Sequence, residues 1–251
     1  MDANVDFLAA DVDVEENWVF EIPATVSTVS QQPGEILDCV EAVLDCLSPF
    51  TKFRSCELTV QLFEEDVQHA ERIDTGPTDV RTVEVDLEES ETDGDRVTAA
   101  AIRERLTRID GPSDYALVST LSFADGATRV RLDGFDGDID TESTDLYRTV
   151  KHGEIRGPAR LDPIQLEISD KERLGDDAGM IYEIRLRTPT EIWFGRNELA
   201  EVNRERFADA LSCLHRSFPD GDRHFGGEPR GECAPREQPW IRPLVPWFDG
   251  E

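Results

Sequence analysis

Lysine is nearly absent from this chain: Lys52, Lys151 and Lys171 stand against 23 arginines in 251 residues. No apolar run approaches the eighteen or so residues needed to span a bilayer. The opening "MDANVDFLAADVDVEENW" has neither the basic region nor the apolar region of a signal peptide. These shortages predict a soluble, cytoplasmic protein with no membrane partner. Cysteine is sparse too, and five is an odd number in a fairly long chain, which fits reduced thiols better than a disulfide framework. The usual nucleotide and hydrolase signatures are missing. There is no G-x-x-x-x-G-K-[ST] loop, no G-x-G-x-x-G, no H-E-x-x-H and no G-x-S-x-G. Several large enzyme classes lose their support with them.

What is abundant is acid. Asp and Glu number 55 against 26 Lys and Arg, for a formal net charge of −29. An acid-rich, lysine-poor composition resembles the proteomes of salt-in haloarchaea, and the acids occur in nearly every segment. A nucleic-acid mimic would concentrate them on one face, so the even spread favours salt adaptation. The same charge counts against binding a phosphate backbone, so no nucleic-acid partner is expected.

Periodicity supplies the elements. Trp18, Phe20 and Ile22 alternate as a strand. "QQPGEILDCVEAVLDCLSPF" reads as a helix with Pro33 at its start and Ile36, Val40, Val43, Leu44 and Leu47 on one face. "RSCELTVQLFEE" is the cleanest alternation, with Cys56, Leu58, Val60 and Leu62 on one side and Glu57, Thr59 and Gln61 on the other. One wet face points to an antiparallel sheet. "DVRTVEVDLEE" repeats the pattern, and a second helix is expected from about 96 to 109, stopped by Gly111-Pro112. "DYALVSTLSFADGATRVRLDG" reads as a hairpin turning at Ala-Asp-Gly-Ala. Strands follow at about 160–168 and 180–187, and a last helix at about 198–216.

The fold expected is α+β: an antiparallel sheet of about seven to nine strands with about three main helices packed on one face, or two small α/β sandwich subdomains. Residues 1–16 form a flexible acidic N-terminus and 17–222 the core, which admits a boundary in 133–158. Residues 223–251 are a Pro- and aromatic-rich tail.

Candidate sites are few. Cys213, His215, His224 and Cys233 offer zinc-type donors at poor spacing, because 213 and 215 point to different sides of a helix. No metal and no cofactor are therefore expected. "DGFDGDID" places Asp136, Asp138 and Asp140 at alternate positions, but Thr141 and Tyr147 stand where a calcium loop needs Gly and Glu. Cys39, Cys46 and Cys56 read as small core hydrophobes. His69 and His152 could each be a general base, yet the sequence assigns neither a partner. His152, Arg156 and Arg160 make the best anion-binding set. Trp240, Ile241, Leu244, Trp247 and Phe248 are too apolar for an idle tail. They cover the protein's own core or anchor a partner.

"WFGRN" (193–197) reads as a strand-to-helix joint with Asn197 as the N-cap. An exposed Trp193 beside Arg196 would make it a contact site. The function these features favour is a non-enzymatic binding or accessory protein working through contacts with another protein or with itself. The alternatives are a hydrolase or transferase with a carboxylate/Arg site, or a small-molecule binder lined by Trp18, Trp193 and the tail aromatics.

Overall fold

The computed structural model describes residues 10–11, 16–86, 97–109, 115–132, 135–140, 148–149, 164–173, 179–188, 193, 198–226 and 244. In chain order the strands are β1 (Ala10–Asp11), β2 (Glu16–Pro23), β3 (Thr51–Phe63), β4 (Asp79–Asp86), β5 (Tyr115–Leu132), β6 (Phe135–Asp140), β7 (Arg148–Thr149), β8 (Gln165–Arg173), β9 (Gly179–Thr188) and β10 (Asp222–Gly226). The helices are α1 (Gln32–Leu47), α2 (Arg72–Thr75), α3 (Ala99–Thr107) and α4 (Glu198–Ser217). The class is α+β, with a curled antiparallel sheet of eight strands and four α-helices among the described residues. Along the sheet the order is β10-β2-β9-β8-β5-β3-β4, and β6 pairs with β5 off that path. β1 and β7 form a separate two-stranded parallel pair.

Pairing register carries the alternation across the sheet. Trp18 faces Leu186 and Phe20 faces Ile184, while Ile168 also faces Ile184. Leu121 stands opposite both Ile168 and Leu58. These rows share one hydrophobic cluster with Ile36, Val40, Val43 and Leu47 of α1, Ile102 and Leu106 of α3, and Phe207, Leu211 and Leu214 of α4. Burial of apolar side chains at about 25 cal/mol per Å² is what drives this assembly. Thr98 caps α3, its hydroxyl accepting from the Ala101 amide. Past the end of α4, Arg223 donates to the carbonyls of Phe218 and Pro219 at 2.6 and 3.0 Å. Gly221 lets the chain pass close to β2: a Cβ there would lie 3.0 Å from the Glu21 carbonyl oxygen, a tight contact that the backbone would have to relax.

Two helix amides complete β5 beyond the residues that pair with β8 and with β3. Gln32 accepts from the Val118 amide at 3.0 Å and donates to the Val118 carbonyl at 2.8 Å. Asn203 does the same at Arg131, at 2.6 and 3.0 Å. Both side chains are fully buried, so the strand's backbone groups are satisfied without water.

The structure corrects three expectations. Residues 115–132 are one strand, not a hairpin turning at Ala-Asp-Gly-Ala: β3 pairs with it from Phe63↔Tyr115 to Thr51↔Thr128, shifting register once between Thr59 and Val60 and running past that stretch at Ser55↔Ala124 and Phe53↔Gly126. The strand that follows in the chain, β6, pairs antiparallel with the end of β5, Leu132 opposite Phe135. β8 extends to Arg173, into a stretch expected to be loop. Cys46 and Cys213 form a disulfide, with S–S 2.10 Å and Cα–Cα 5.5 Å, which ties α1 to α4. Spacing along the chain could not bring together two residues 167 apart. Cys39 and Cys56 are free and buried.

Candidate functional site

The connection from β3 to β4 passes through a short 3-10 turn, His69–Glu71, that runs straight into α2. Backbone bonds strap it to the segment preceding α1: the His69 amide donates to Ser27 O at 2.8 Å and the Val29 amide to Val67 O at 3.1 Å. Asp66 accepts from the amide and the hydroxyl of Ser30. Strapped this way, His69 and Arg72, one helical turn apart, both face inward. Across from them β8 brings Asp170 to the core face, in the row of Leu166 and Ile168 and opposite Tyr182.

Asp170 is the centre of the cluster. Its Oδ1 accepts from Arg72 Nη2 at 2.8 Å. Its Oδ2 lies 2.8 Å from His69 Nε2 and accepts from Gln32 Nε2 at 3.0 Å. The carboxylate is completely buried, and His69 is 2% exposed. One carboxylate and one guanidinium neutralise each other here. A carboxylate only accepts, so the His69 Nε2–H is the donor to Asp170 Oδ2. His69 Nδ1 and Arg72 Nε have no partner among the described residues.

Beside this cluster the Tyr182 ring stacks near His69, with centroids 6.5 Å apart. Its hydroxyl donates to Glu35 Oε2 at 2.5 Å. Glu35 also accepts from the Thr25 amide and hydroxyl and from the Val26 amide. Burial alone would raise the Glu35 carboxyl, but the bonds from Thr25, Tyr182 and Val26 outweigh it and hold the group below its ordinary range. Burial, reinforced by Glu35, pushes the Tyr182 phenol well up.

An imidazole oriented by a carboxylate, with its second nitrogen free, has the form of a general base. Here Nδ1 is sealed from solvent, so the cluster acts as a pin joining α1, the β3–β4 connection, β8 and β9.

The surface offers something different. β4 is an edge of the sheet among the described strands. Val80 on β4 and Ile73 on α2 are each 53% exposed, and Tyr115 at the start of β5 is 38% exposed. Val80 stands opposite Gln61 and Tyr115 opposite Phe63. They therefore share one face of the sheet and flank β3 on either side.

Of the residues singled out from sequence, Trp193 is fully buried and packs against Phe50 and Phe207. The exposure that would have made it a contact residue is not met. Its carbonyl accepts from Arg204 at 2.9 Å. Trp18, also fully buried, packs edge-on to Phe207. Leu244 is buried too, and its carbonyl accepts from Trp18 Nε1 at 2.7 Å, so the tail docks on the core at that residue.

Trp240, Ile241, Trp247, Phe248, Arg196, His152, Arg156 and Arg160 lie outside the described residues. Cys213, bonded to Cys46, is not a thiolate donor for zinc. Among the described residues, no group of three or more His, Cys, Asp or Glu is placed to hold a metal ion. Asp136 and Asp138 sit in β6, where Asp136 pairs with Arg206 at 2.8 Å.

Sequence reasoning noticed His69 but not its partner, which lies 101 residues away. A signal was present: extending the inward row of Leu166 and Ile168 by two residues places Asp170 in the core, where a carboxylate needs a cation.

No helix among the described residues is long and apolar enough to cross a membrane. Searches against protein-family models, curated proteins and solved structures give no match to this chain.

Proposed function

We propose that this is a salt-adapted cytoplasmic binding or accessory protein, not an enzyme, which acts through contacts with a protein partner. We further read α1, α3 and α4 as one layer on the inner face of the sheet; on the other face Phe63 and Leu117 are covered by Val29 and Val67, which leaves Val80, Tyr115 and the β4 edge to the outside. The observation that carries the reading is the exposure of Val80 on the edge strand β4 and of Tyr115 across β3 from it. Apolar side chains grouped at a sheet edge favour association, either by packing or by addition of a strand. The His69–Asp170–Arg72 cluster supports the same reading, because it is buried inside the protein, away from any substrate in solvent.

The test is affinity capture at molar salt with the wild-type chain and a Val80→Asp/Tyr115→Ser variant. Both substitutions lie on the surface, so circular dichroism should show an unchanged fold. A specific protein retained by the wild type and lost from the variant is the expected result. Equal capture by both, or none by either, sinks the proposal.

A further inference from the structure

We infer that the Cys46–Cys213 disulfide is a thiol–disulfide exchange site, open to an external dithiol through Cys213, which governs how firmly α4 is held to α1. Its two sulfurs differ in access. Cys46 is 6% exposed and belongs to the core, whereas Cys213 is half-buried at the core's margin. An incoming thiolate therefore meets Cys213 Sγ first, and Cys46 is the leaving group. The Ser217 hydroxyl, one helical turn beyond Cys213, lies 3.5 Å from Cys46 Sγ and can donate to the departing thiolate.

The other described cysteines do not compete. Burial pushes the Cys39 thiol up to about 12, with Glu35 and Asp38 adding to the effect, and pushes Cys56 up as well. Neither supplies a thiolate for reshuffling.

The exchange balances as follows. A dithiol's thiolate attacks Cys213 Sγ, the S–S bond breaks, and Cys46 leaves as a thiolate that takes a proton from solvent. The second thiol then attacks the mixed disulfide and releases Cys213 as a thiol. The protein gains two electrons and two protons, and the reductant leaves as a cyclic disulfide. What is lost is a cross-link between residues 167 apart. Closing a loop of more than a hundred residues shifts the folding equilibrium by about a thousandfold or more on the chain-entropy argument.

The test uses the full-length chain carrying Cys233→Ser, in molar KCl, treated with dithiothreitol while folded. Alkylation and mass analysis should find two new thiols, at Cys46 and Cys213. The urea midpoint should fall in step with a folding constant lowered about a thousandfold, and oxidised glutathione should restore it. Ser217→Ala should slow reduction severalfold and leave the oxidised midpoint unchanged. No new thiols in the folded protein would overturn the proposal, because the bond would then be a sealed cross-link. Two new thiols with an unchanged midpoint would overturn it equally. The readout needs no substitution at Cys46 or Cys213, so it does not depend on whether such variants fold.

Discussion

Asp170 is a fully buried carboxylate that holds Arg72, His69 and Gln32 at once. Such a pair is costly to bury and costlier to break, because removing one charge leaves the other uncompensated. Asp170→Asn is expected to lower the unfolding free energy by about 3–5 kcal/mol. Adding Arg72→Met to that variant should recover part of the loss by removing the orphaned cation. Urea unfolding of both proteins measures this, and a loss well under about 1 kcal/mol in the single variant would show that the pair is not a working contact. His69 was visible in the sequence as a titratable residue without a partner, and residue-scale reasoning could go no further. The carboxylate that meets it is set by how β8 registers against β9, which is not a local property.

At the scale of elements, α1 is fixed at both ends by different chemistry. Cys46 ties its last turn to α4. Glu35, in its first turn, gathers Thr25, Val26 and Tyr182. Because the folded protein holds the Glu35 carboxyl below its ordinary value of 4.5, the stability it contributes is complete above that value. It is lost as pH falls through the lower folded value. The gap in urea midpoint between wild type and Glu35→Gln should therefore be widest near neutrality and close as pH drops below 4.5. A gap constant across that window would mean that the carboxylate form is not what matters.

The helices were legible because α1, α3 and α4 each repeat an apolar stripe with a stop signal behind it. The extent of β5 was not, because two Asp-Gly pairs, at 125–126 and 133–134, carry the same local signal. Pairing with the 13-residue β3 decides between them. α2 and β10 are shorter than the window over which periodicity can be counted.

For the whole molecule, charge dominates. A net −29 strains any compact state by self-repulsion, and molar salt shortens the Debye length to about 3 Å, which removes most of that strain. The thermal midpoint should accordingly rise steadily as KCl is raised from low ionic strength into the molar range, followed by circular dichroism. A midpoint indifferent to salt would remove the support for salt adaptation.

The place of β2 in the sheet has a consequence for the chain as it is being made. β2 is among the first strands to be synthesised, yet its two neighbours, β9 and β10, are the last two of the described strands in chain order. At bacterial-type rates of about 5–20 residues per second, Trp18 and Phe20 wait on the order of ten to forty seconds for their partners. Through that interval the nascent chain carries an unpaired apolar strand, bordered by Glu15, Glu16 and Glu21. Acidic residues flanking an obligatory hydrophobic strand act as gatekeepers against premature self-association. Some of this protein's acid thus serves the unfinished chain as much as the finished one.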